Sequence, residues 1–300
     1  MKQEKNFRVL ILGHGEMGQA MERLLGHHSL QVWQRRPPPG GVPLNLEQAA
    51  ADNDFIVFCL PATAHADIAA RVAVSLRGDT LCLTIAKGLD GQGRLPATVL
   101  AEAVGAARVA VLYGPMISEE IRAGKPAFAE CGTTESTSYE RIAALYRGTA
   151  LRLEASRDIT GLSWSAILKN VYAMAFGMAD ELHLGDNMRG FLAVTALREL
   201  SAIVRHLGGE AATPYRLAGL GDLITTATSA GSHHHELGRL IVRGMHDQLG
   251  GEGVHTMTVL RSAGRFAAAS FPLFNLVDVC LREPDTARVR LAEFLRHNAT

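Results

Sequence analysis

No two of the four cysteines form a C-x-x-C pair: Cys59, Cys82, Cys131 and Cys280 are scattered over 300 residues. That scatter offers no dithiol redox motif. Three of them fall in apolar, strand-like segments, so they are expected as buried free thiols in a reducing compartment. Net charge is missing too. Lys+Arg and Asp+Glu both number 30, which argues against nucleic acid or an anionic membrane as the main partner but leaves room for a local basic pocket. No apolar run is long enough to cross a bilayer, and the short charged stretch 1–8 leads into a strand without a secretory pattern. The expectation is a cytoplasmic protein with no membrane partner. Internal repeats and low-complexity segments are absent. With 47% hydrophobic and 20% charged residues, the chain is globular and long enough for one large domain or two medium ones.

The apolar run 7–12 has strand length and is followed by Gly13-His14-Gly15-Glu16-Met17-Gly18, then by helical spacing through Met21, Leu24 and Leu25. Strand, G-x-G-x-x-G and helix together are the dinucleotide fingerprint in its required context. Gly13 makes the tight turn, Gly15 admits the pyrophosphate to the backbone, and Gly18 lets the helix pack on the sheet. The helix N-terminus faces the phosphates. The second strand, 30–33, runs into Gln34-Arg35-Arg36 with no carboxylate at its end. Two guanidiniums there suit the 2′-phosphate of NADP better than the ribose hydroxyls of NAD, although NAD remains possible. The plainer alternative is a pair of solvated loop arginines.

Further buried strands are expected over 54–60, 81–86 and 109–113, alternating with helices over 66–76 and 96–104. Such alternation predicts a doubly wound parallel sheet covered on both faces, with ligands at the carboxyl ends of its strands. Pro61, Lys87 and Gly114 stand at those ends. After about residue 155 apolar residues recur at helical spacing, as in Leu197, Leu200, Val204 and Leu207 before Gly208-Gly209. The chain is therefore expected as an α/β dinucleotide-binding domain over 1–155 and an all-helical substrate domain over 156–300.

The stretch 166–175 is apolar almost all round yet carries Lys169 and Asn170 side by side. A helix of that kind is buried, and a buried lysine needs a partner or a use. The alternative is that Lys169 runs along a neighbouring helix to solvent. In the second unusual stretch, 217–229, Asp222 and Thr226 are four apart on one helical face, where the carboxylate could hold the lysine or cap the helix start.

Taken together, these stretches resemble the bacterial-type, nicotinamide-dependent glycerol-3-phosphate dehydrogenase family, whose second domain is of the 6-phosphogluconate-dehydrogenase-like kind. The matching pieces are the glycine fingerprint; Lys87-Gly88; Gly114-Pro115 with Glu119-Glu120; Gly124-x-Pro126; Leu168-Lys169-Asn170-Val171; Gly185-Asp186-Asn187; 218–223; Thr226; Thr228-Ser229; and Glu252-Gly253. The resemblance implies reversible hydride transfer between NAD(P)H and C2 of dihydroxyacetone phosphate or sn-glycerol 3-phosphate, a place in glycerophospholipid metabolism, and a homodimer. It implies that Lys169 is the acid/base, that Lys87 lines the active site, and that Asn170, Asp222 and Thr226 complete it. It also puts Glu16, Met17, Pro61, Lys87 and Glu252 on the cofactor, and Lys87, Gly114 and 232–234 on the substrate. An ammonium at the carbonyl oxygen is the chemistry that ketone reduction requires.

One departure stands out. After Thr228-Ser229 the family continues Ser-Arg-Asn, with the arginine on the substrate phosphate. Here the positions are Ser232, His233 and His234, and His235 and Glu236 also replace residues that are usually basic. Histidine, mostly neutral near pH 7, replaces a permanently charged fork. A related reductase of a non-phosphorylated acid, of the ketopantoate reductase or β-hydroxyacid dehydrogenase type, is therefore an alternative. So is a nucleotide-binding protein that has lost turnover. The three consecutive histidines are not expected to hold a metal, because neighbours on a helix point in different directions.

Overall fold

The computed structural model describes residues 6–37, 40–229 and 231–298. Two compact units make up the chain, 1–159 and 160–300.

The first unit alternates strands and helices: β1 (Arg8–Leu12), α1 (Glu16–Leu25), β2 (Ser29–Trp33), α2 (Leu46–Asp52), β3 (Phe55–Phe58), α3 (His65–Ala73), β4 (Leu81–Thr84), α4 (Pro96–Val104) and β5 (Val109–Tyr113). It ends with α5 (Ser118–Arg122), β6 (Ala127–Thr133), α6 (Ser136–Leu145) and β7 (Leu151–Ser156). The seven strands lie in the order β2-β1-β3-β4-β5-β6-β7. β1, β3, β4 and β5 are apolar because helices cover both faces of a parallel sheet. Val9, Ile11, Phe55, Val57, Leu83 and Leu112 pack against Met21 and Leu25 of α1 and Ile142 and Leu145 of α6. The strand order reverses at β1, between β2 and β3, and a crevice at the carboxyl ends follows from that reversal.

The strands expected from the sequence pair in parallel, and two further strands extend the sheet beyond them. β6 runs antiparallel to β5, with Val111 opposite Gly132, and β7 pairs parallel to β6. Neither strand was legible as a fully apolar run. β6 carries Glu130 and Gly132, and β7 is an edge strand whose Arg152 and Glu154 face water.

The second unit is helical: α7 (Ile159–Glu181), α8 (Gly185–His206), α9 (Asp222–Thr228), α10 (His233–Val242), α11 (Glu252–Ala263), α12 (Pro272–Arg282) and α13 (Ala287–Asn298). α7 is its centre, buried on all sides from Gly161 to Ala179, which is why its sequence shows no polar face. Two glycines bring α7 and α10 into backbone contact. A Cβ at Gly177 would lie 1.9 Å from His235 O, and one at Gly238 would lie 2.0 Å from Met174 O. α12 is tied in by a buried carboxylate. Glu199 accepts Leu273 N–H (2.7 Å), Phe274 N–H (2.9 Å) and the Tyr172 hydroxyl (3.1 Å), joining α12, α8 and α7.

All four cysteines are free, and burial pushes each thiol up, to about 12 at Cys82, Cys131 and Cys280. Among the described residues no helix is long and apolar enough to cross a membrane.

Candidate active site

In the first unit the expected ligand residues gather at the carboxyl ends of the strands. Gly13 follows β1 at φ +93°, where a Cβ would lie 2.6 Å from Cys59 O. A Cβ at Gly18 would lie 2.1 Å from Gly13 O, so α1 can approach the turn this closely only as glycine. At Gly15, by contrast, an added Cβ meets nothing within 4 Å, and no side chain caps α1. The result is an open backbone cradle at a helix N-terminus, which fits a pyrophosphate. Glu16 is exposed and its carboxylate accepts the Ser118 hydroxyl (3.2 Å), while Met17 packs against the core of the unit.

Arg35 and Arg36 stand exposed beyond β2. A carboxylate that the strand end lacks comes from α3: Asp67 Oδ2 is 3.9 Å from Arg35 Nη2. Exposed Pro61 follows β3 and its carbonyl faces the His65 ring. Lys87 Nζ donates to Gly114 O (3.3 Å), linking the ends of β4 and β5. The loop after Lys87 closes on Asp90, which accepts Gln92 N–H (2.9 Å), Arg94 N–H (2.8 Å) and Arg94 Nε–H (2.8 Å). Burial opposes charge on Asp90, but these bonds outweigh it and hold the carboxyl below its usual range.

In the second unit Lys169, Asp222 and Thr226 come together. The lysine and aspartate side chains are 5% and 4% exposed, with Nζ 3.2 Å from Asp222 Oδ2. Lys169 also donates to the Thr226 hydroxyl, which itself donates to Asp222 O (2.7 Å). The four-residue spacing thus turns the Thr226 hydroxyl and the Asp222 carboxylate to the same ammonium, and Lys169 does not run out to solvent. Asp222 does not cap its helix. It is the first residue of α9, the cap position is Gly221, and its carboxylate is turned to Lys169. Asn170 is buried and its Oδ1 accepts no hydrogen bond.

Ser232 caps α10, its hydroxyl accepting His235 N–H (3.3 Å). The three histidines diverge. His233 is exposed, and His234 lies against Gly253, where a Cβ would come within 2.8 Å of its Cδ2. His235 is buried with Nε2 2.7 Å from Asp180 Oδ2. The His234–Gly253 contact sets the start of α10 beside the start of α11, where Glu252 is exposed. Asp180 also receives Arg189 through two bonds of 2.8 and 3.0 Å. Burial works against its charge, but Arg189 and His235 prevail and hold the carboxyl below its usual range. Asp180, Arg189 and His235 border a cavity of about 250 Å³ with Thr228, Ser229 and Arg239. Asp180, Asp90 and His65 were not singled out from the sequence, and His235 was noted only as a departure from the family's basic residues; nothing local to any of them names its partner.

Comparison with known proteins agrees over most of the length. The model of the NAD-dependent glycerol-3-phosphate dehydrogenase N-terminus matches residues 42–138, and that of its C-terminus matches 158–289. Glycerol-3-phosphate dehydrogenase [NAD(P)+] of Deinococcus radiodurans is 40% identical over 229 residues, covering 76% of this chain and 67% of that protein. The enzyme of the same name from Acaryochloris marina is 33% identical over 285 residues, covering 91% and 90%. Among solved structures, glycerol-3-phosphate dehydrogenase from Coxiella burnetii superposes with a TM-score of 0.82 at 23% identity, covering 96% of this chain and 99% of that one. A 2-dehydropantoate 2-reductase from Geobacter metallireducens shares the fold at a TM-score of 0.61 and 16% identity, covering 92% and 99%. With relatives at this identity over nine-tenths of both sequences, the chain belongs to the NAD-dependent glycerol-3-phosphate dehydrogenase family.

Proposed function

We propose that the chain is an NAD(P)-dependent oxidoreductase interconverting dihydroxyacetone phosphate and sn-glycerol 3-phosphate. The observation that carries this reading is the buried Lys169–Asp222–Thr226 cluster in a member of this family. Residues 1–155 serve as the dinucleotide-binding domain and 156–300 as the substrate domain. Gly13, Gly15 and Gly18 receive the pyrophosphate at the start of α1, and Arg35 and Arg36 favour NADP. When bound, the reduced nicotinamide supplies the hydride.

As C2 is reduced, its oxygen gains negative charge, and the Lys169 ammonium gives that oxygen a proton. In the reverse direction the neutral amine takes the proton from the C2 hydroxyl. Asp222 and Thr226 orient the amine. The hydroxyl accepts from Lys169 because its own hydrogen is committed to Asp222 O. Asn170 Oδ1, buried without a donor, suits a substrate hydroxyl, and within the first unit Lys87 is the candidate active-site lysine that the resemblance implies. Ser232 and the start of α10 are the remaining substrate-side groups.

A second reading, reduction of a non-phosphorylated carbonyl acid, is favoured by one observation. The position of the family's phosphate-binding arginine is an exposed histidine, His233. Steady-state oxidation of NADPH and NADH with dihydroxyacetone phosphate, beside ketopantoate, separates the readings. Turnover with dihydroxyacetone phosphate is expected. Turnover with ketopantoate alone would establish the second reading, and cofactor binding without any turnover would leave a binding protein.

Free cysteines suit a cytoplasmic location. A homodimer is in keeping with Val194, Ile224 and Val289, which are 50, 52 and 60% exposed in the helical unit; light scattering on the purified protein tests it.

A further inference from the structure

Beside the carboxyl ends of β3 and β4, the His65 side chain is wholly buried and engaged at both ring nitrogens. Nδ1 lies 3.1 Å from Pro61 O, and Nε2 lies 2.9 Å from Thr84 Oγ1. A carbonyl only accepts, so Nδ1 carries the ring proton. Nε2 of the neutral ring is then an acceptor, and the Thr84 hydroxyl is its donor. The same hydroxyl oxygen accepts Ala86 N–H (3.2 Å), and Ala86 O accepts the buried Tyr113 hydroxyl (2.8 Å). The next residue is Lys87, whose Nζ reaches Gly114 O. Hydrogen bonds therefore run in one consistent sense, from Tyr113 at the end of β5 and through Ala86 and Thr84 to His65 and Pro61.

An imidazole is an expensive choice at this position. It sits against Phe58, ring centroids 5.3 Å apart, in a place an apolar side chain could fill. Burial pushes its pKa down to about 4, against a smaller opposing pull from Pro61 O, so the ring is neutral at pH 7, as the direction of the bonds requires.

We propose that His65 is a positioning residue: through Thr84 it fixes the backbone that presents Lys87, and through Pro61 O it fixes the loop after β3, an inference that rests on Lys87 being an active-site lysine. It is no acid or base in the reaction, since both nitrogens are committed inside the protein. It sets the spacing between two strand-end loops, and a single side chain does so because each nitrogen takes one loop.

The test is steady-state kinetics with NADPH and dihydroxyacetone phosphate, with active enzyme counted by NADPH titration. His65→Phe fills the space and removes both bonds. Loss of one such bond corresponds to a roughly five- to tenfold fall in kcat/KM, which is the effect expected of Thr84→Val and the least expected of His65→Phe. The two together should fall no further than His65→Phe alone. His65→Gln, which can place an acceptor near Thr84, should recover part of the loss, and His65→Asn, which cannot, should not. In a Lys87→Met background His65→Phe should change nothing more. Losses that multiply in that background would overturn the proposal and leave His65 with a packing role. Full turnover in Lys87→Met alone would overturn the role of Lys87 and this inference with it. Nitrogen-15 NMR of the wild-type imidazole needs no variant to fold. A neutral ring protonated at Nδ1 from pH 8 to pH 5 is expected, and a proton on Nε2 would sink the proposal.

Discussion

Lys169 Nζ lies 3.2 Å from the Asp222 carboxylate, and both side chains are almost wholly withdrawn from water. Each ion alone would lose several kcal/mol of hydration, which their attraction and added hydrogen bonds offset only while both are present. Removing one partner is therefore costlier than removing both. Asp222→Leu should destabilise the protein by about 3–5 kcal/mol, and the pair Lys169→Met with Asp222→Leu should be closer to wild type than either single change. Urea unfolding of the four proteins checks this; additive losses would show that the two charges are not coupled.

Turnover separates from stability in the same variants. Lys169→Met should cut kcat by on the order of a hundredfold or more while NADPH titration stays near wild type, because the lost group acts on the carbonyl oxygen and not on the cofactor. Retained turnover would remove Lys169 from the chemistry.

Cofactor choice hinges on Arg35, with Asp67 beside it at 3.9 Å. NADPH should bind more tightly than NADH, and Arg35→Ala should weaken NADPH far more than NADH. Asp67→Ala should do the reverse, since its carboxylate competes with a 2′-phosphate for the guanidinium. Equal titration curves for the two cofactors in the wild type would contradict this.

By the family resemblance, His233 stands where a phosphate-binding arginine is expected. A charge-assisted hydrogen bond is worth about 1.5–3 kcal/mol, so KM for dihydroxyacetone phosphate should stand one to two orders of magnitude above that of an enzyme with the arginine. His233→Arg with His234→Asn should lower it by a similar factor. An unchanged KM in that variant would mean that another group binds the phosphate.

Acid stability should report on Asp180. Its carboxyl is held below its ordinary 3.8 in the fold, because Arg189 and His235 outweigh burial. The stabilisation is thus complete above about 3.8 and is lost as pH falls through the lower folded value. The gap in Tm between wild type and Asp180→Asn should shrink as pH falls below about 3.8. A gap that widens in acid would reverse the sign of the linkage.

How much of this was legible in the sequence depended on the range of each interaction. The strands β1 and β3 to β5, the glycine turn and the buried lysine are written in local pattern: apolar runs of strand length, fixed glycine spacing, a cation inside an all-apolar helix. β6 and β7 were not, because Glu130 and the alternating residues of an edge strand break that pattern. The four-residue spacing put Asp222 and Thr226 on one helical face, but whether the carboxylate caps that helix or pairs with Lys169, far away in sequence, is tertiary. His65, Asp90 and Asp180 gave no distinctive local pattern and His235 showed only as a departure from the family's basic residues, because their partners lie on other elements or across a turn.

The backbone contact of Gly177 and Gly238 also bears on how this protein could change. With no side chain between them, α7 and α10 can neither slide nor roll past each other without collision. The helix bearing Lys169 and the helix beginning at His233 therefore keep a fixed index, like two gears cut with meshing teeth. What stands at 233 and 234 can be exchanged without resetting that index, so the start of α10 behaves as a replaceable fitting on a frame whose alignment is set by the helix contact behind it.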